Sequence, residues 1–241
     1  MQDMAFVRLN KYLSMAGTCS RREADRLIEE GYVTVNGQKA LPGMKVGPDD
    51  RVCLKGETIR PETEKIILAV YKPCGVVCTT DTRWGEKRLN DIVDVGKRVF
   101  YVGRLDKASR GLILMTNQGE LANQIMRAAN CHEKEYLVTV DRKITQAFLH
   151  RLREGVWLEE LHVRTRACEV EQTGESTFRI ILTQGLNRQI RRMCEACGYH
   201  VTDLLRTRIL NIQLGELKPG TFRSLTREEV EILSEKAGLQ V

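Results

Sequence analysis

The sequence has no long hydrophobic run. Its longest apolar stretches, such as residues 66–71 and 112–115, have strand length and fall far short of the ~20 residues that cross a bilayer. Residues 1–8 carry no apolar segment behind a basic one, so neither a secretory signal nor a membrane anchor is expected, and the expected location is the cytoplasm. A regular cysteine framework is missing too. The eight cysteines, at 19, 53, 74, 78, 131, 168, 194 and 197, are scattered over 241 residues and read as reduced thiols in a chain long enough to need no staples. There is no internal repeat and no low-complexity segment. What is present, 42% hydrophobic and 29% charged residues, is ordinary for a folded protein, and a net charge of +6 gives by itself only a weak lean towards a polyanionic partner.

The first sixty residues read as a helix-helix-hairpin unit. Leu9, Leu13 and Ala16 share one helical face, and Gly17 ends that helix. Ser20 and Glu23 then have capping-box spacing, Ala24, Leu27 and Ile28 supply a second apolar face, and Gly31 suits a left-handed C-cap. Residues 32–35 form an expected strand, and Asn36-Gly37 predicts a type I′ hairpin because both turn positions need positive φ. A further turn is expected at 47–50, before a strand at 51–54. Arg8, Lys11, Arg21, Arg22 and Arg26 lie off the apolar faces. Charge alone leaves two readings open for them, a single basic patch or a solvated surface interleaved with Glu23, Asp25, Glu29 and Glu30.

A polar stretch with a proline, near residues 60–65, marks a boundary, so the expected division is a domain at 1–60, a linker at 61–65 and a second domain at 66–241. Strands are expected near 66–71, 75–79, 99–102, 112–116, 135–140, 163–170, 177–183 and 207–214. Helices are expected at 119–129, 145–154, 188–197 and 226–233, the last opening on a Thr226-to-Glu229 capping box. The fold class is α+β.

Two constellations carry chemistry. The loop G-R-L-D-K-A-S-R-G at 103–111 sets Asp106 among Arg104, Lys107 and Arg110, a positive setting that keeps a carboxylate ionised and attracts phosphate; a turn-forming or surface-paired aspartate is the plain alternative. Cys194, Cys197 and His200 have C-x2-C-x2-H spacing, which raises zinc. Three ligands without a second C-x-x-C, on a helix that Gly198 terminates, fit core or surface thiols better, and a thioredoxin-type pair belongs at a helix start. No metal site is expected.

The loop extended to G-R-L-D-K-A-S-R-G-L-I-L-M-T-N resembles the signature of the pseudouridine synthases. Y-K-P-C-G at 71–75, H-E-K-E-Y-L-V at 132–138 and Q-G-L-N-R-Q-I-R-R-M at 184–193 resemble further segments of that family, in the same order. R-L-N-K-Y-L, C-S-R-R-E-A-D and G-x-V-x-V-N-G over residues 8–54 resemble the S4 RNA-docking domain, so the chain is similar to the S4-domain pseudouridine synthases. The resemblance implies a small N-terminal S4 domain and a catalytic domain with a mixed, mainly antiparallel sheet flanked by helices. It implies isomerisation of uridine in ribosomal RNA, with the large-subunit 23S RNA favoured, transfer RNA as a second target, and a non-catalytic RNA-binding or ribosome-assembly factor as the alternative. Breaking N1–C1′ and rejoining the sugar through C5 needs no cofactor. A monomer is the default.

By that resemblance Asp106 is catalytic, acting on the sugar or the pyrimidine ring, and Arg191 is the cation held against it. Tyr136 is the aromatic platform for a flipped base, although a strand tyrosine is by itself more often core. Lys72 and Pro73 support the pocket floor under it, with Arg104 and Ile190 as further support. Lys107, Arg110, Arg188 and Arg192, together with Lys97, Arg98, Arg206 and Arg208, are expected phosphate contacts, joined by Arg8, Lys11, Arg21, Arg22 and Arg26 of the docking unit. Two departures from the family pattern are Ser109, where many members carry threonine, and Asn187-Arg188, where other branches carry histidine.

Overall fold

The computed structural model describes residues 6–79 and 85–239. Its contacts divide the chain into two compact units, one of Met1–Ile66, Val95–Val99 and Asn117–Gly119, the other of Ile67–Asp94, Phe100–Thr116 and Glu120–Val241.

In the first unit β1 (Val7–Arg8) leads into α1 (Leu9–Met15) and α2 (Arg21–Glu29), followed by β2 (Val33–Val35), β3 (Gln38–Lys39), β4 (Lys45–Val46), β5 (Val52–Leu54) and β6 (Glu57–Ile59). Leu9, Leu13, Ala24, Leu27 and Ile28 bury the two helices against Val33, Val35 and Val52. Removing such aliphatic side chains from water is the main source of stability for a unit this small, at ~1.5–3 kcal/mol for each. Ser20 caps α2 by accepting the Glu23 N–H at 3.2 Å, but the return half of the expected box is not formed, because the Glu23 carboxylate takes the Arg26 guanidinium at 2.5 Å. At the other end Gly31 sits at φ +82° and Tyr32 N–H reaches the Leu27 carbonyl at 3.0 Å, the closing bond of a Schellman motif. Asn36 and Gly37, both at positive φ, turn β2 into β3 in a sheet ordered β3-β2-β5-β6.

Residues 95–99 and 117–119 pack with this unit, which a linear division of the chain does not contain. Arg98 donates to the Cys19 carbonyl at 3.0 Å, Lys97 pairs with Glu62 at 3.1 Å and with Glu64, and Asn117 bonds the Glu64 carbonyl and the Ile66 N–H. Lys97 and Arg98, expected as phosphate contacts, are therefore engaged within the fold.

The second unit is built on one sheet. It contains β7 (Ile67–Lys72), β8 (Phe100–Val102), β9 (Arg110–Thr116), β10 (Lys134–Val140), β13 (Glu169–Gln172), β14 (Thr177–Leu182), β15 (Val201–Ile209), β16 (Ile212–Gln213) and β17 (Phe222–Ser224). The order is β13-β14-β10-β15-β9-β7-β17, with β16 on β15 and β8 on β9; a separate small hairpin pairs β11 (Trp157–Leu158) with β12 (Val163–Arg164). Among the described strands the sheet is antiparallel everywhere except at its middle, where β15 runs parallel to β9 through Leu205↔Arg110 and Arg206↔Gly111. This seam separates two cores. On one side α4 (Gln146–Arg153) and α5 (Gln189–Glu195) bury Phe148, Leu149, Leu152, Ile190 and Met193 with Phe178 and Ile180; on the other, α3 (Gly119–Met126) and α6 (Arg227–Lys236) bury Leu121, Ile125 and Leu233 with Leu112 and Leu114. The class is α+β with a mixed, mainly antiparallel sheet.

Local expectations were met unevenly. Thr226 and Glu229 form the reciprocal capping box of α6, with bonds of 3.2 and 2.9 Å. The strand expected at 75–79 is a turn and a single bridge, Val77 to Arg88, since Gly75 at φ +84° breaks the extended chain. The strand expected at 163–170 is split into β12 and β13. The one expected at 207–214 begins earlier, at Val201, and is interrupted by Leu210 at φ +52°, which turns β15 back into β16.

Candidate active site

Asp106 lies on the 103–109 loop between β8 and β9, at the seam of the sheet. The loop turns on a Ser109 N–H bond to the Asp106 carbonyl at 3.0 Å, and three consecutive carbonyls beyond Asp106 are each captured from behind. Gly75 N–H donates to Lys107 O at 2.8 Å, Arg191 Nη2 to Ala108 O at 3.0 Å, and Lys72 Nζ to Ser109 O at 2.7 Å. Such bonds fix the backbone, so the direction of the Asp106 side chain is set by elements far away in sequence. Lys72 is fully buried; desolvation pushes its pKa down, and the nearby Cys78, Cys74 and Asp106 oppose that fall. Its ammonium donates to the Pro73 and Ser109 carbonyls.

The seam demands a glycine. A Cβ on Gly111, at φ +110°, would lie 2.3 Å from the Arg206 carbonyl oxygen and 2.7 Å from its nitrogen, so no other residue lets β9 approach β15 this closely. Beside it Arg110 forks onto Asp203 with bonds of 2.9 and 2.7 Å and also reaches the Tyr71 hydroxyl. The Asp203 partner raises the Arg110 pKa, and Arg110 holds Asp203 below the usual carboxylate range.

A cleft of about 310 Å³ opens over the seam. It is lined by Asp106, Tyr136 and Ile190, by the apolar side chains Ile125, Leu182 and Leu204 from both cores, and by Arg104, Arg127, Lys134, Arg188 and Arg206. Five cations thus face one carboxylate. Tyr136 of β10 stands directly opposite Arg206 of β15, because a register shift between Glu135 and Tyr136 skips Thr207. A β-bulge here aims both side chains at the same space.

The RNA pseudouridylate synthase family matches residues 66–196, and the S4 domain matches residues 7–52. The chain belongs to the RNA pseudouridylate synthase family. It is 52% identical over 227 residues to the dual-specificity RNA pseudouridine synthase RluF of Escherichia coli, covering 93% of this chain and 77% of that one. An uncharacterised RNA pseudouridine synthase of Mycobacterium leprae is 36% identical over 241 residues, covering 97% of this chain and 94% of the relative. A crystal structure described as a pseudouridylate synthase superposes with a TM-score of 0.70 at 26% identity, over 94% of this chain and 99% of that one. The protein is an RNA pseudouridine synthase, an isomerase, with an S4 RNA-binding domain at its N-terminus.

Within this pseudouridine synthase the expected residues divide. Asp106, Tyr136, Arg104, Ile190 and Arg188 are brought to one cleft. Arg191 is not on the Asp106 carboxylate; it is 8% exposed and its guanidinium holds the Ala108 carbonyl, the Val201 carbonyl and the Ser109 hydroxyl, so it supports the loop. Arg110 is spent on Asp203. Arg192 pairs with Glu160 and the Asn187 carbonyl, Arg208 with Glu133 and Glu135, and Lys107 with Glu86. Arg206, 3% exposed, donates to the Leu112 carbonyl and is too deep to meet a backbone phosphate. In the S4 domain Arg26 is shared between Glu23 and Glu30, whereas Arg8, Lys11, Arg21 and Arg22 have no acidic partner among the described residues.

Two cations of the cleft went unassigned in the sequence. Arg127 follows α3 and is exposed on the rim. Lys134 shares the face of Tyr136, two residues along the strand, and that alternation was the available signal. Cys194 is packed in a core and burial pushes its thiol up; among the described residues no group of three potential ligands could hold a metal ion.

Proposed function

We propose that this pseudouridine synthase acts on a uridine of large-subunit 23S ribosomal RNA, with Asp106 as the catalytic carboxylate and Tyr136 as the ring against which the flipped base rests. The observation that carries the reading is the cleft itself: one carboxylate, on a backbone clamped at three successive carbonyls, in a pocket of five cations and one aromatic ring. A base withdrawn from its stack needs a pocket to enter, and a polyanion brings its own charge to offset the cations. Arg104, Arg127 and Arg188, exposed on the rim without an acidic partner among the described residues, are suited to the flanking phosphates. The E. coli relative is a dual-specificity enzyme, which supports a second RNA, for which transfer RNA is the candidate. We place the protein in the cytoplasm, working as a monomer.

The test is pseudouridine mapping, by carbodiimide modification and primer extension, on ribosomal and transfer RNA from cells that lack the protein and carry either the wild type or Asp106→Asn. A stop in 23S RNA that returns only with the wild type is expected. A stop confined to transfer RNA would move the target, and a stop restored by Asp106→Asn would remove Asp106 from the chemistry.

A further inference from the structure

Two cations in the cleft do not fit the role of phosphate contacts. Arg206 donates Nε to the Leu112 carbonyl at 2.6 Å, yet its Nη2 is buried with no hydrogen-bond partner. A buried guanidinium nitrogen left unpaired is costly, at ~1–3 kcal/mol; Arg191 Nε is left so as well, but of the two arginines it is Arg206 that lines the cleft. Lys134 lies beside it. Its Nζ donates to the His132 carbonyl at 2.9 Å, which occupies one of three ammonium protons. Burial, with Arg206 adding to it, pushes the Lys134 pKa down to about 8. Both side chains flank Tyr136, Arg206 across the bulge and Lys134 along the strand. Both also line the cleft, so a ring resting on Tyr136 has an ammonium and a guanidinium beside it.

Resting on the proposal that Asp106 works on a base held by Tyr136, we propose that Lys134 and Arg206 form an anion-stabilising floor that binds the carbonyl oxygens of the pyrimidine ring as it leaves the sugar. When N1–C1′ breaks, its electron pair stays with the base and is shared with the ring oxygens O2 and O4. The deficit at C1′ is met by the Asp106 carboxylate, either by bonding to the sugar or by taking the C2′ proton. The ring then turns, C5 bonds to C1′, the C5 proton leaves, N1 takes up a proton, and Asp106 is released in the state in which it began. Donors aimed at charge that appears during the reaction act on the rate and little on ground-state binding.

The experiment compares the wild type with Lys134→Met, Lys134→Arg and Arg206→Lys in single-turnover conversion of the uridine in ribosomal RNA lacking the modification, with RNA affinity and thermal unfolding measured alongside. Asp106→Asn, run in parallel, tests the reading on which this one rests. For Lys134→Met a rate loss of roughly 100-fold is expected, with affinity within about two-fold of wild type. Lys134→Arg and Arg206→Lys, which keep a cation, should retain most of the rate. At subsaturating RNA the wild-type rate should also fall above about pH 8, and Lys134→Arg should carry that limb upward, which a merely structural lysine would not do. The titratable and charged groups around Lys134 are Tyr136 of β10, Arg206 of β15, Asp106 and Arg104 of the loop, Arg127 after α3 and Arg188 at the start of α5, with His132, whose carbonyl it holds, beside them. An affinity loss equal to the rate loss would make Lys134 a phosphate contact and overturn the proposal. So would an unchanged rate in Lys134→Met, even with Asp106→Asn inactive.

Discussion

The seam and the rim of the catalytic unit both carry arginines and put them to opposite uses. At the seam Arg110, Arg191 and Arg206 are turned inward, onto Asp203, the Ala108 and Val201 carbonyls and the Leu112 carbonyl. At the rim Arg104, Arg127 and Arg188 are exposed and have no acidic partner among the described residues. The seam cations hold two half-sheets and one loop in register, while the rim cations are left to the solvent and to a polyanion. A guanidinium's place in the fold, and not its distance in sequence from Asp106, decides which it is.

The largest expected effect comes from breaking the seam. Gly111→Ala sets a methyl within 2.3 Å of the Arg206 carbonyl oxygen at a strained φ, and should cost about 3 kcal/mol or more in denaturant unfolding, by combined strain and overpacking. Wild-type stability in that variant would mean that the parallel pairing is not as close as described. Next comes Asp203→Ala, which leaves Arg110 with the Tyr71 hydroxyl alone; a loss of about 1–3 kcal/mol is expected, together with slower turnover as the loop loosens.

Rim and seam separate most clearly in salt titrations. Arg188→Ala should weaken RNA binding and lower the slope of log affinity against log salt by about 1, and the same holds for Arg104→Ala and Arg127→Ala. Arg208→Ala, which removes a cation already paired with Glu133 and Glu135, should leave the slope unchanged. Equal slopes for both sets would erase the distinction. The smallest effect is on stability against pH. With the Lys134 pKa near 8 in the fold and 10.5 as its ordinary value, the unfolded chain binds more protons between those limits, so stability rises with pH across that window. The rise should be absent in Lys134→Met, and a fall across the window in the wild type would contradict the burial of this lysine.

How much of this was legible in the sequence depended on whether a residue's partner was local. The Asn36-Gly37 turn, the Gly31 cap and the α6 capping box involve neighbours within a few positions, and all three formed. The loop carrying Asp106 was found because its whole motif is contiguous. By contrast, the pairing of Arg110 with Asp203, of Arg191 with Ala108 and of Arg206 with Leu112 spans more than eighty residues in each case. Nothing in a charge pattern distinguishes those arginines from free ones. The bulge that sets Arg206 opposite Tyr136 is a matter of strand register between β10 and β15, and register is settled by tertiary packing.

The most direct measurement is single-turnover pseudouridine formation by Asp106→Asn beside the wild type, on ribosomal RNA lacking the modification, with RNA affinity determined on the same preparations. Loss of all detectable conversion with affinity within about two-fold of wild type is expected, since the substitution removes a reacting group and no phosphate contact. Conversion at a rate near that of the wild type, or an affinity loss large enough to explain the missing product, would contradict the assignment of Asp106 as the carboxylate on which the reaction turns.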